Sequence, residues 1–257
     1  MPRDGNKKNI LFIVGCQRSG TSLLARIFER DFNTKVYGEF SKLSSNSIDR
    51  IRLNALSSVK ETIDKDKVPL VILKPIVETQ NVLELVEYFE GSKALWIYRY
   101  YKDVASSILN KFKTKISIEN LRPIVKNHSN NWRSEKVSEY TRKIVVKYFS
   151  ESMNPNDASA LFWFVRNRLF FELNLVHNPN VMMCRYEDLV TNPTNVMKKI
   201  YEFSGCKYPG EEKHTEVHSK SIGRGKKIDL IPEIDVLCNE LYEKLNNAYL
   251  LENNYSQ

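Results

Sequence analysis

No apolar stretch in this chain approaches the ~20 residues needed to cross a bilayer; uninterrupted runs, such as Ile10–Val14, are far shorter. The opening MPRDGNKKNI has no apolar core ahead of a small-residue cleavage site, so no signal peptide is visible. Cysteine is scarce: Cys16, Cys184, Cys206 and Cys238 are scattered, with no CxxC pair. That spacing argues against a disulfide frame or a zinc site and fits the reduced thiols of an intracellular protein. Glycine and proline number 9 each, too few for a collagen-like or linker-dominated chain. What remains is a chain of 257 residues, 42% hydrophobic and 11% aromatic, too apolar for disorder and long enough for a substantial core.

The net charge of +8 is unevenly spread. Residues 111–150 hold ten lysines and arginines (Lys111, Lys113, Lys115, Arg122, Lys126, Arg133, Lys136, Arg142, Lys143 and Lys147) against Glu119, Glu135 and Glu139. Such a segment favours an anionic ligand or is a solvated helical face. No zinc-finger or RNA-recognition signature accompanies it, so nucleic acid is not the expected partner.

Buried-strand runs alternate with helical periodicity. Ile10–Val14, Val68–Leu73 (VPLVIL), Ala94–Tyr98 and Val181–Cys184 are short, continuous and apolar. Between and after them, Leu23–Arg30, Val82–Phe89 and Val104–Asn110 read as helices, as does the stretch marked by Leu161, Phe164, Val165 and Leu169. Asn192-Pro193 reads as the N-cap and first position of a helix that Gly205 stops. The alternation predicts an α/β fold, a parallel sheet flanked by helices. With no internal repeat or interdomain linker, residues 1–257 read as one domain, and 111–160, which has no clear strand, as a helical insertion.

Two motifs carry chemistry. Gly15-Cys-Gln-Arg-Ser-Gly20-Thr21-Ser22 joins the first strand directly to a helix. Such a turn aims several backbone N–H groups at one point, and the helix dipole adds partial positive charge there. This is a phosphate cradle, but not the GxxxxGK[ST] form of nucleotide triphosphatases: Thr21 stands where the lysine belongs, and the cation is Arg18, inside the loop. After the third strand come Arg99, Asp103 and Ser107, spaced four apart. At a strand's carboxyl end, Arg99 and Ser107 can grip a second phosphate, while Asp103 suits the cap of the following helix.

Here the residues resemble a family. Gln17-Arg18-Ser19-Gly20-Thr21-Ser22 is similar to the 5′-phosphosulfate loop of sulfotransferases, and Arg99…Ser107 to their 3′-phosphate motif. Arg185-Tyr186-Glu187-Asp188-Leu189, with the helix ending Phe203-Ser204-Gly205, resembles their late YEDL strand and helix. Ser219-Lys-Ser221-Ile-Gly223-Arg224 resembles the S-x-S-x-G-R loop of bacterial and Golgi-type members, although Gly225 stands where an aromatic often follows. The four motifs run in family order over about residues 10–230. The resemblance implies a P-loop NTPase-like fold and, as donor, 3′-phosphoadenosine 5′-phosphosulfate (PAPS), with adenosine 3′,5′-bisphosphate (PAP) as product.

The implied donor fits the residues: it carries a phosphosulfate and a separate phosphate, and two anion motifs are present. In-line sulfuryl transfer needs cations at the leaving phosphate oxygen and a base for the acceptor hydroxyl. Arg18 is one such cation. Lys74, in Leu73-Lys74-Pro75, is either another, as in Golgi-type relatives, or a solvated strand flank. The smaller charge of a phosphosulfate does not demand a metal. The resemblance implies Glu39, in Val36-Tyr37-Gly38-Glu39, as general base; the other reading is a surface glutamate. None of His128, His177, His214 and His218 closely follows Lys74, where cytosolic relatives place a histidine base. Tyr186 is a candidate contact to the adenine, and Ser221 and Arg224 belong to the closing loop.

The expected acceptor is a hydroxyl or amine compound, either an anionic glycan or a small molecule, with 111–160 on the acceptor side. The expected location is the cytoplasm, or the lumenal part of a truncated Golgi enzyme. Two other classes remain open: a small-molecule kinase with a divergent phosphate loop, which would need Mg²⁺, and a basic nucleic-acid-binding protein with steeply salt-dependent affinity.

Overall fold

The computed structural model describes residues 8–45, 51–112 and 115–254. Lys113, counted above in the basic segment, and Met1–Lys7 of the N-terminal stretch lie outside the described residues. In chain order the elements are β1 (Asn9–Gly15), α1 (Thr21–Glu29), β2 (Thr34–Tyr37), α2 (Leu56–Ile63), β3 (Leu70–Leu73), α3 (Val82–Tyr88), β4 (Lys93–Tyr98), α4 (Tyr101–Phe112), α5 (Lys115–Val125), α6 (Glu139–Tyr148), α7 (Pro155–Glu172), β5 (Val181–Arg185), α8 (Tyr186–Thr191), α9 (Pro193–Phe203) and α10 (Pro232–Asn254). They form two compact units.

The first unit comprises Met1–Gly15, Gly20–Ile97 and Pro179–His218. It is built on a five-stranded sheet in the order β2-β3-β1-β4-β5. β1 runs parallel to both β3 and β4, and β2 parallel to β3. β3 is buried along its whole length, which is why it reads as a continuous Leu-Val-Ile-Leu run rather than an alternation. Against the sheet, α1 packs Leu24, Ile27 and Phe28, and α9 packs Val196, Met197 and Ile200. Tyr201 of α9 also belongs to this core, and its hydroxyl donates to Asp31 at 2.9 Å, so the ring is buried without orphaning its polar end.

The second unit comprises Cys16–Ser19, Tyr98–Asn178 and Ser219–Gln257 and is helical. α7 is its axis: Leu161, Phe162, Trp163, Phe164 and Val165 are all buried, and α4, α5 and α10 pack around it. A helix apolar on every side belongs in a core. Its start is set by Asn154, whose side chain accepts from Asn156 N–H, followed by Pro155 at the first helical position. The described helices within residues 111–160 are the end of α4, α5, α6 and the start of α7, joined by turns.

Two local expectations need correction. Asn192 stands at the start of α9, but its side chain makes no capping hydrogen bond; Pro193, with φ preset, carries the start instead. The YEDL segment is not strand: β5 ends at Arg185, and Tyr186–Thr191 is a short helix, with Arg185 bonded to Asp188 across its first turn.

Candidate active site

The loop after β1 begins at a glycine for a spatial reason. A Cβ on Gly15 would lie 2.3 Å from the carbonyl oxygen of Ile97 on the neighbouring strand. Gly15 N–H donates to Thr79 Oγ1 at 3.1 Å, and Thr79 in turn donates to Ile76 O at 2.7 Å, so the loop leaves the sheet from a fixed point. Gly20 closes the loop with φ 108°, in the left-handed region, and a Cβ there would meet the Tyr186 ring at 2.3 Å. Tyr186 is buried, its ring lying against the loop glycine. From Gly20 the chain enters α1, with Thr21 buried and Ser22 exposed.

Within the first unit, Lys74, Glu39 and Ser22 come together. Lys74 directly follows β3 and is buried; it is not a solvated flank. Its Nζ donates to Glu39 Oε2 at 2.8 Å and lies 3.3 Å from Ser22 Oγ. Glu39 sits in a turn closed by Ser41 N–H on Gly38 O at 3.2 Å, and Ser44 Oγ donates to the Glu39 carbonyl. The glutamate is thus half-buried and ion-paired on a pinned turn, not a loose surface group.

Within the second unit, Arg18, Arg99, Ser107, Ser221 and Arg224 line one open cleft of about 170 Å³, together with Asp103, Ser106, Asn110 and Lys111. Arg18 takes φ 67° and donates from Nε to Ser107 Oγ at 3.0 Å. Arg99 is buried; its Nη2 donates to Ser221 O at 2.6 Å, and its own carbonyl accepts from Trp163 Nε1 at 3.0 Å. Ser19 is fully buried, and its hydroxyl has no hydrogen-bond partner among the described residues. Gln17 is half-buried beside it.

The sequence reading of Asp103 was wrong in kind. α4 starts at Tyr101, so Asp103 lies inside the first turn rather than at the cap. It accepts from Gly223 N–H at 2.9 Å and Gly225 N–H at 2.7 Å. Gly225, the departure from the family pattern, has a physical reason here: a Cβ would stand 2.2 Å from the Lys102 carbonyl carbon. Lys111, Asn110 and Thr79 were also missed as site-building residues; the basic count pointed to Lys111, and nothing in the sequence pattern pointed to Thr79.

Two of the basic segment's arginines are paired with carboxylates. Arg122 pairs with Glu151 at 2.9 Å and Arg142 with Glu139 at 2.8 Å, while Arg133 donates to Asn120 and lies over the Trp132 ring. Cys16, in the loop, is fully buried, and that burial pushes its thiol up to about 12 against the opposing charge of Arg166; it is no nucleophile at neutral pH. Among the described residues no cluster of three or more His, Cys, Asp or Glu side chains is placed to hold a metal ion. No helix among them is long and apolar enough to cross a membrane.

A family model for the sulfotransferase domain matches residues 8–227. Among solved structures, the chain is similar to the sulfotransferase domain from the Synechococcus PCC 7002 olefin synthase, with 14% identity and TM-score 0.52 over 96% of this chain and 98% of that one. It is also similar to the sulfotransferase domain from the curacin biosynthetic pathway, with 15% identity and TM-score 0.53 over 94% of this chain and 99% of that one. At these identities the likeness is one of fold, the P-loop-type parallel α/β fold. No curated protein sequence matches the chain significantly.

Proposed function

Since this chain belongs to the sulfotransferase family, we propose that it moves a sulfuryl group from PAPS to a hydroxyl, or an amine, of its acceptor. The observation that carries the donor assignment is the cleft in which Arg18, Arg99, Ser107, Ser221 and Arg224, from three separate stretches of sequence, line one surface. Three arginines and two hydroxyl-bearing residues suit a phosphate dianion, which arginine grips through directed, charge-assisted hydrogen bonds. The loop fits the other end of the donor: Gly20 holds a conformation that an L side chain rarely adopts, and Ser19 keeps a buried hydroxyl with no hydrogen-bond partner among the described residues.

Bound PAPS supplies the sulfuryl group and leaves as PAP. Gln17, Arg18, Ser19, Gly20, Thr21 and Ser22 hold the phosphosulfate through backbone N–H groups and hydroxyls. Arg99, Ser107, Ser221 and Arg224 would hold the 3′-phosphate, and Tyr186 would contact the adenine. Glu39 takes the proton from the acceptor hydroxyl at its carboxylate while that oxygen bonds to sulfur. Lys74 and Arg18 supply positive charge for the leaving phosphate oxygen. We assign the helical stretch 111–160 to acceptor recognition within a single sulfotransferase domain. The four cysteines are unbridged, which suits a reducing cytoplasm.

The test is thermal unfolding with PAP in metal-free buffer, against ATP with Mg²⁺. A ligand at a hundredfold excess over its Kd stabilises by about 2.7 kcal/mol. Stabilisation by PAP without metal supports the proposal; stabilisation by ATP–Mg²⁺ alone points to the kinase reading and overturns it.

A further inference from the structure

Asp103 lies in the first turn of α4 with 1% of its surface exposed, in the wall of the cleft of about 170 Å³. Its two carboxylate oxygens are taken up by backbone. Oδ1 accepts from Gly225 N–H at 2.7 Å and Oδ2 from Gly223 N–H at 2.9 Å, with the Arg99 guanidinium 3.5 Å away. The loop cannot settle there with any side chain at 225, because a Cβ would overlap the Lys102 backbone at 2.2 Å. Gly223 holds φ 78°, which turns its N–H toward the carboxylate at little cost only for glycine. Arg99 adds a third tie, from Nη2 to Ser221 O at 2.6 Å.

A buried carboxylate accepting two backbone N–H bonds is a strong, directional arrangement. It also does something that a surface ion pair does not: it fixes the backbone of a loop in which Ile222 and Arg224 are exposed rather than buried in the core. The loop residues Ser221 and Arg224 line the same cleft as Arg18, Arg99 and Ser107. A phosphate bound there gains the loop's contribution at full strength only when that loop is already in place.

We infer that Asp103 is a positioning residue: it latches Gly223 and Gly225 to α4, so that Ser221 and Arg224 are set in advance for the phosphate that distinguishes PAP from a plain 5′-nucleotide. The latch rests on the reading that this cleft takes the donor's 3′-phosphate. Asp103 itself touches no phosphate. Asparagine in its place would keep the shape, but its amide nitrogen would face a backbone N–H, turning one of the two bonds into a clash of donors.

The test is calorimetric binding of PAP and of adenosine 5′-monophosphate to the wild-type chain, Asp103→Asn, Gly225→Ala and the double variant, each below its unfolding temperature. We expect the wild type to prefer PAP. Each single variant should weaken PAP by roughly tenfold, the scale of one lost charge-assisted hydrogen bond, and leave the monophosphate unchanged. The double variant should be no worse than the worse single one, because both break the same contact. A merely structural lesion would weaken both nucleotides alike or neither, and either result overturns the latch. So do additive losses in the double variant. If Asp103→Asn does not fold, Gly225→Ala alone decides: an unchanged PAP preference contradicts the latch. A wild type with no preference for PAP would instead sink the cleft assignment beneath it.

Discussion

Lys74 Nζ stands 2.8 Å from Glu39 Oε2, joining the residue that follows β3 to the turn that follows β2. The two sides of the proposed chemistry, a proton acceptor and a cation for the leaving oxygen, are therefore in one contact. Glu39→Gln removes the proton acceptor but keeps the shape, so turnover should fall by about 10²- to 10⁴-fold, the usual weight of general base catalysis, with PAP affinity retained. Lys74→Ala should also lower turnover, and the double variant should lose less than the product of the two, since the residues act as a unit. Steady-state rates of PAP formation across the three variants check this.

Gly20→Ala puts a methyl group where the loop has no room for one. The residue would have to hold φ 108°, and its Cβ would press on the body of the Tyr186 ring at 2.3 Å. Strain of this kind costs about 1–3 kcal/mol. Calorimetric unfolding should show that loss, and PAP should no longer stabilise the variant.

Alkaline pH should destabilise the fold through Cys16. Burial raises its thiol from 9.0 to about 12 in the folded chain, with Arg166 opposing. The folded state therefore keeps a proton that the unfolded state gives up. The contribution is fully present below pH 9 and is lost as pH rises toward 12. Unfolding temperatures measured over that window should fall, and fall less steeply in Cys16→Ala. For the same reason, thiol-directed reagents should leave Cys16 untouched in the native protein at neutral pH.

Chelation should spare activity. The charge at the leaving oxygen is assigned to Arg18 and Lys74, which need no divalent ion to act. PAP formation should be unchanged after dialysis against EDTA; a loss restored by Mg²⁺ would show that these side chains do not suffice.

The elements on either side of the loop Gly15–Ser22 were legible because their signals are local. A continuous apolar run before Gly15 and helical periodicity after Ser22 are enough to place a tight strand-to-helix turn. β2 was barely legible, since of its Thr-Lys-Val-Tyr only Tyr37 is fully buried. α10 went unread, although Ile234, Cys238, Leu241 and Leu245 form a buried stripe at helical spacing. Asp103 was misread for a different reason. Its partners, Gly223 and Gly225, are some 120 residues away in sequence, and a short acid near a helix start looks the same whether it caps its own helix or holds a distant loop. In the basic segment, a count of charges cannot show which side chains are paired: Arg122 and Arg142 have Glu151 and Glu139.

The most direct measurement is transfer of label from PAPS carrying radioactive sulfate, with the wild-type chain and Glu39→Gln, across carbohydrate, lipid, peptide and phenolic acceptors. Wild-type protein should move label into one acceptor class, without metal, and Glu39→Gln should move almost none. Equal labelling by Glu39→Gln, or transfer from γ-labelled ATP with Mg²⁺ in place of PAPS, would contradict the account.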